Sequence, residues 1–310
     1  MGYSVAVDGG AGCQTANGDY NLSGAMAQAA WACWPVGAFK RSTLGMIGGW
    51  LSLLDGLVRT KVRELMGPVR IRYGDEPSQF GELWLPAGQG RWPVVVNLHG
   101  GFWKAQYDLS HADPCCAALA TRGIAVWNLE YRRVGQRGGV VGTLQDVRAG
   151  VESLPPMAPR FDLDLNRVVL MGHSAGGQLA LWLAAERPLP TRGVVALAAV
   201  SDLRTAAALR LSKGGDAVQR FLGGEPAEVA HHYDWASPLA RLPLCLPQRL
   251  IHGSADADVP LSLSERYVAT ARALGDDATL MTLQGVGHMA LIDPSSFAWP
   301  HVRHAVETLL

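Results

Sequence analysis

Val94-Val95-Val96, inside the run Pro93–Leu98, offers no polar residue to either side of a strand. Successive strand side chains point to opposite faces, so such a run is stable only where both faces are covered. A parallel strand between two layers of helices meets that condition. Seven further short runs rich in β-formers accompany it: Val69–Tyr73, Phe80–Leu85, Ile124–Leu129, Arg167–Met171, Val194–Val200, Gln248–His252 and Thr279–Leu283. Helix-length segments at about 108–121, 143–154, 175–187, 261–274 and 295–310 separate most of them. Pro188 stops the third, because proline cannot continue the hydrogen-bond ladder. Alternating strands and helices predict an α/β sheet with helices on both faces.

Composition fits a large buried core and removes several function classes. Hydrophobic residues make up 48% of the 310 and charged residues 17%, which excludes wholesale disorder. Lys plus Arg and Asp plus Glu are both 27, so there is no net basic field to gather nucleic acid. Five cysteines include the adjacent Cys115-Cys116 and no CxxC pair, against a disulfide framework or a zinc site. The expectation is a reducing, cytoplasmic setting with no metal.

Gly172-His173-Ser174-Ala175-Gly176, extended by Gly177, fits G-x-S-x-G. It stands between a strand-like run ending at Met171 and the apolar helical stretch Ala175–Glu186. Strand, sharp turn and helix are what a nucleophile elbow requires, with the serine hydroxyl projecting from the sheet edge. The helix N-terminus adds N–H groups and positive dipole for a developing oxyanion. His99-Gly100-Gly101-Phe102-Trp103 follows the buried strand directly. Its glycines let backbone N–H groups turn inward, so Gly101, Phe102 and Ala175 are the expected oxyanion donors, and His99 is expected to be structural.

A serine hydroxyl needs an imidazole to take its proton and an acid to fix that ring's tautomer. Of nine histidines, His288 lies in the glycine-flexed loop Gly285-Val286-Gly287-His288, just after the last strand. His173 adjoins the serine on the turn, His231 and His232 sit in an insertion, and His301 and His304 lie in the terminal helix. The stretch His252-Gly253-Ser254-Ala255-Asp256-Ala257-Asp258-Val259-Pro260 supplies the acid. Asp256 is preferred there, with Asp258 capping the next helix or pairing locally. Asp202 is the third candidate, with helix N-cap as its structural role. The resulting order is Ser174, Asp256, His288.

These motifs resemble the α/β-hydrolase superfamily over about Val69–Leu310. The HGGFW form resembles its carboxylesterase and arylformamidase (kynurenine formamidase-like) branch. The resemblance implies a mostly parallel eight-stranded sheet with an antiparallel second strand. It also carries over Ser174, Asp256 and His288 as the triad and needs no metal or organic cofactor. The implied parse is a catalytic domain at 67–310 with a small cap at about 203–242, which exceeds a simple crossover.

Residues 1–66 have no counterpart in that family and read as an appendage, partly disordered or helical. No basic n-region precedes Ala25–Ala32, so no secretory signal is read. Leu44–Val58, interrupted by Gly48, Gly49 and Asp55, is shorter than the about 20 residues a span needs. A lid, or a membrane contact over 44–58 through Ile47 and Trp50 with Trp31 and Trp34, is the functional alternative.

The expected substrate is a small carboxylic ester with a short-to-medium acyl or aryl group. An N-formylkynurenine-like activated amide is the competing one, and a non-catalytic binding protein is the reading of another class. Phe102, Trp103, His173 and Trp235 are the candidate substrate contacts, with Trp182, Phe221 and Tyr233 as further aromatic candidates. The sequence leaves the oligomeric state open.

Overall fold

The computed structural model describes residues 67–310. The readings placed on residues 1–66, a lid or a membrane contact, lie outside the described residues. Among the described residues no helix is long and apolar enough to cross a membrane.

Eight strands form one sheet: β1 (Val69–Arg72), β2 (Phe80–Trp84), β3 (Trp92–Leu98), β4 (Ala125–Leu129), β5 (Leu163–His173), β6 (Gly193–Leu197), β7 (Gln248–Gly253) and β8 (Ala278–Leu283). Their spatial order is β1-β2-β4-β3-β5-β6-β7-β8. β2 runs antiparallel to both β1 and β4, and every later pairing is parallel. The implied antiparallel second strand is therefore present. Period-two alternation divides the core in two. Val94, Val96, Val168 and Leu170 belong to one buried cluster, while Val95, Val126, Val169 and Met171 belong to another. That division is the reason the Val94-Val95-Val96 run contains no polar residue. Asn97 and Asn128, opposite each other in the register, satisfy one another inside the sheet at 2.8 Å.

The helices between strands are α1 (Asp113–Ala120), α2 (Gly139–Glu152), α3 (Leu154–Phe161), α4 (Ala175–Glu186), α5 (Leu203–Ala208), α6 (Ala217–Leu222), α7 (Ala230–Ala236), α8 (Leu261–Ala273) and α9 (Trp299–Glu307). Several boundaries correct the sequence reading. Helix α2 starts at Gly139 rather than 143, because Gly138 and Gly139 are its entry and not a loop. Helix α3 falls in Leu154–Phe161, a proline-rich stretch to which the sequence reading assigned no helix. Its first prolines occupy the opening turn, where no N–H is needed. The last helix starts at Trp299 rather than 295. Asp293 accepts from the Ser295 N–H and hydroxyl at 2.8 and 2.7 Å and closes a separate turn first. β6 ends at Leu197, three residues short of Val200.

Candidate active site

The carboxyl ends of the parallel strands gather the candidate groups at one edge of the sheet, where ligands of open α/β sheets bind. β3 leads to His99, β5 to Ser174, β7 to Asp256, and β8 to the loop carrying His288. Ser174 has φ 58° and ψ −120°, a conformation disfavoured for a side chain and worth about 1–3 kcal/mol of strain. Its backbone is clamped on both sides: its N–H donates to the Leu197 carbonyl (2.8 Å), and its carbonyl accepts from Gln178 (3.2 Å). The flanking glycines are steric necessities. A Cβ on Gly176 would stand 2.0 Å from the Leu98 carbonyl oxygen, and one on Gly172 would stand 2.1 Å from that of Gly176.

His288 donates from Nδ1 to Oδ2 of Asp256 at 2.6 Å. That bond fixes the tautomer and leaves Nε2 as the bare acceptor. The Asp256 side chain is 1% exposed. Its Oδ1 accepts the N–H groups of Asp258 (2.9 Å) and Val259 (2.8 Å), and Nε2 of His252 approaches Oδ2 at 3.3 Å. Burial alone would raise the Asp256 pKa. The hydrogen bonds from His252, His288 and Val259 outweigh it and hold the carboxyl well below the usual range. Asp258 does not cap helix α8, whose N-cap is Pro260. It is exposed and faces the site. Asp202 is the N-cap of α5, accepting from the N–H groups of Arg204 and Thr205.

Ser174 and His288 line one cavity of about 250 Å³ together with Gly101, Phe102, Tyr107, His111, His173, Asp258 and Met289. The hydroxyl and the ring are not hydrogen-bonded to each other, a looseness common in unliganded sites. A concavity of about 330 Å³ near Trp84 and Ala117 is larger but carries no titratable side chain. Size therefore does not mark the site; chemistry does. The N–H groups of Gly101, Phe102 and Ala175 are free of hydrogen-bond partners among the described residues. Asp256, Asp258 and His288 are the group with metal-ligand spacing among the described residues, their ligand atoms lying within 4.8 Å. Within that group, His288 Nδ1 and Asp256 Oδ2 are already engaged with each other.

Two expected substrate contacts are placed elsewhere. Trp103 is fully buried, stacked on Phe221 at 4.4 Å, and its Nε1 donates to Gln178 at 3.0 Å. Trp235 packs edge-on against Trp182 at 5.9 Å, away from the cavity lining. Trp182, Phe221 and Tyr233 are core residues as well. Phe102 and Trp103 both have positive φ, 50° and 54°, and the loop turns one side chain to the cavity and the other into the core. His173 does line the cavity, but its Nε2 donates to the His288 carbonyl at 3.0 Å and thereby tethers the histidine loop. Burial, then the neighbouring His288, pushes the His173 pKa well down, so its ring is neutral.

Several supporting residues were not legible in the sequence. Glu130, buried after β4, accepts from His99 Nε2 (3.1 Å), the Tyr131 N–H (2.8 Å), the Leu109 N–H (3.2 Å) and Arg133 (3.2 Å). Tyr131 donates its hydroxyl to the His99 carbonyl at 2.7 Å. His111 accepts the Gly100 N–H at 3.3 Å. Its pKa is pushed down to about 4, by burial and then by the neighbouring His99. These contacts hold the HGGFW loop from below. The one available signal was register: Leu98 pairs with Leu129, which sets His99 beside Glu130.

A hydroxyl at a strained turn, an imidazole oriented by a carboxylate, and uncommitted N–H groups are the parts acyl transfer through a covalent intermediate needs. The chain is similar to several known proteins. The isoprenylcysteine alpha-carbonyl methylesterase ICME of Arabidopsis thaliana is 29% identical over 243 residues, covering 71% of this chain and 56% of that protein. Esterase LipC of Mycobacterium tuberculosis is 27% identical over 243 residues, covering 71% and 59%. The chain spans about half the length of the first plant relatives it matches. Esterase B of Lactobacillus rhamnosis superimposes with a TM-score of 0.66 at 22% identity, covering 87% of this chain and 96% of that one, which establishes the shared fold. The BD-FAE family model matches residues 82–270, more than half of the chain and the span from β2 to helix α8, and the chain accordingly belongs to the BD-FAE family.

Proposed function

We propose that this chain is a serine carboxylesterase acting on small esters. One observation carries the reading: the 2.6 Å bond from His288 Nδ1 to Asp256, made at the cavity that Ser174 lines at a strained turn. In the mechanism, His288 Nε2 takes the proton as Ser174 Oγ attacks the ester carbonyl. The oxyanion is held by the N–H groups of Gly101, Phe102 and Ala175, each worth on the order of 3 kcal/mol of barrier. His288 returns the proton to the departing alcohol. Water then repeats the sequence to release the acid. Residues 203–242 act as a small cap: Phe221 of helix α6 stacks on Trp103 of the loop, and the Ala236 carbonyl of helix α7 accepts from Gln178.

The HGGFW motif, similar to that of arylformamidases, keeps N-formylkynurenine-type amides as the competing substrate. A p-nitrophenyl ester series run beside N-formylkynurenine separates the two. Ser174→Ala should abolish fluorophosphonate labelling and nearly all hydrolysis. Turnover by that variant close to the unaltered protein's would end the proposal.

A further inference from the structure

Phe102 is a wall of two cavities. Beyond its ring from Ser174 lies a second concavity of about 310 Å³, bordered by Lys104, Val134, Ala217 of helix α6 and Arg220 of the same helix. No carboxylate lines it. The Lys104 ammonium touches the Ser212 hydroxyl at 3.3 Å, and neither cation has a carboxylate within 4.0 Å among the described residues. Asp216, the N-cap residue one turn before Arg220, makes no ion pair with it.

That isolation is unusual for this molecule. Arg132 grips Asp146 through two bonds of 2.8 and 2.7 Å, Arg241 holds Glu186 at 2.6 Å, and even the surface Arg148 holds Glu152 at 2.9 Å. Arginines without carboxylates turn to carbonyls or rings, as Arg187 does with Leu244 and Arg160 with Phe161. Of the described cations only Arg91 and Lys213 are similarly unpartnered, and neither lines this concavity or the serine's cavity.

We propose that the concavity beside Phe102 is an anion subsite, taking a carboxylate carried on one arm of the ester. The proposal rests on the hydrolase reading and names its substrate class. Two like charges in a concave wall focus a positive potential, and a carboxylate there gains charge-assisted hydrogen bonds from both. An alkyl arm in the same place would strip water from an ammonium and a guanidinium and return nothing. Asp258 lines the serine's own cavity and repels an anion there. The field therefore has a direction, and a charged arm is steered past Phe102.

The test compares kcat/KM for matched ester pairs on the whole chain. One pair charges the acyl arm (4-nitrophenyl hydrogen glutarate against 4-nitrophenyl hexanoate). The other charges the alcohol arm (4-carboxyphenyl acetate against 4-methylphenyl acetate). Arg220→Gln should lower the charged-to-neutral ratio about three- to five-fold for one pair, and Lys104→Gln should do likewise. Arg220→Glu should lower it further, and raising salt from about 20 to about 500 mM should compress the unaltered protein's ratio. If both ratios ignore Arg220→Glu and salt while the neutral esters are still cleaved, the subsite is overturned and the hydrolase reading stands. If the whole chain cleaves no ester and Ser174 resists fluorophosphonate, both fall.

Discussion

Replacing Asp256 by Asn tests the site at its most constrained atom. Four donors surround the native carboxylate: the N–H groups of Asp258 and Val259 on Oδ1 at 2.9 and 2.8 Å, and His288 Nδ1 and His252 Nε2 on Oδ2 at 2.6 and 3.3 Å. Asparagine brings one oxygen and one NH2 group. If the oxygen stays with the two backbone donors, the NH2 faces both histidines, and His288 must present a bare Nδ1. Its proton then moves to Nε2, the nitrogen that has to accept from Ser174. Losing the correct tautomer should lower kcat about 10³- to 10⁴-fold, or about 4–5.5 kcal/mol of barrier at about 1.4 kcal/mol per decade. The assay is steady-state hydrolysis of p-nitrophenyl acetate, with thermal unfolding to confirm a folded variant. Asp258→Asn provides the comparison: its side chain is exposed and outside the bonded network, so kcat should stay within about three-fold. Retention of more than about a tenth of kcat in Asp256→Asn, or an equal collapse in Asp258→Asn, would refute the reasoning.

Other perturbations probe the loop and the elbow. The His111 pKa is pushed from 6.5 to about 4, so between those values the unfolded chain binds a proton the folded one does not. Its contribution is full above about pH 6.5 and is lost as pH falls toward about 4. His111→Gln, which keeps an acceptor for the Gly100 N–H, should flatten that decline in guanidinium unfolding; equal pH slopes would contradict the assignment. Glu130→Gln strands Arg133 and should cost about 3–5 kcal/mol, a fall in Tm on the order of 10 °C. An unchanged Tm would show the network is not bearing on the fold. Gly176→Ala drives a Cβ to within 2.0 and 2.5 Å of two backbone oxygens, and the loss should be about 3 kcal/mol or more. Gly287→Ala meets its nearest atom at 3.9 Å and should stay within about 1 kcal/mol, so equal effects in the two variants would be inconsistent with that contrast.

What the sequence made legible is what the sheet fixes by itself. That Ser174, Asp256 and His288 gather at one edge could be read because each follows a strand whose apolar run marks its end, and strand ends in a parallel sheet share one edge. Asp256 and Asp258 lie equally near the end of β7, and spacing does not separate them. A turn does: Asp256 Oδ1 gathers the two N–H groups that follow it, which aims Oδ2 at His288. Trp103 was misread because aromatic character says nothing about direction. Consecutive positive φ values send it into the core, to Phe221 and Gln178. Glu130, His111 and His252 carry no periodic signature, since their partners are set by pairing across the sheet or by loops 11 to 31 residues away.

That pattern explains how a strained serine can be tolerated and where specificity must arise. The strain at Ser174 persists because Leu197 and Gln178 hold its backbone and because Gly172 and Gly176 leave no space for another path. The oxyanion loop is similarly over-determined, by Glu130, Arg133 and Tyr131 beneath it and by Phe221 against Trp103. Groups held this firmly cannot adjust to different esters. The walls that can are the ones facing solvent: Tyr107 is 43% exposed and Met289 54%, and between them and helix α6 stands the Phe102 ring. Under the proposed function, substrate choice therefore belongs to the rim rather than to Ser174, Asp256 and His288. On that rim Lys104 and Arg220, the two cations of the proposed subsite beside Phe102, are the groups that would tell a charged ester arm from a neutral one.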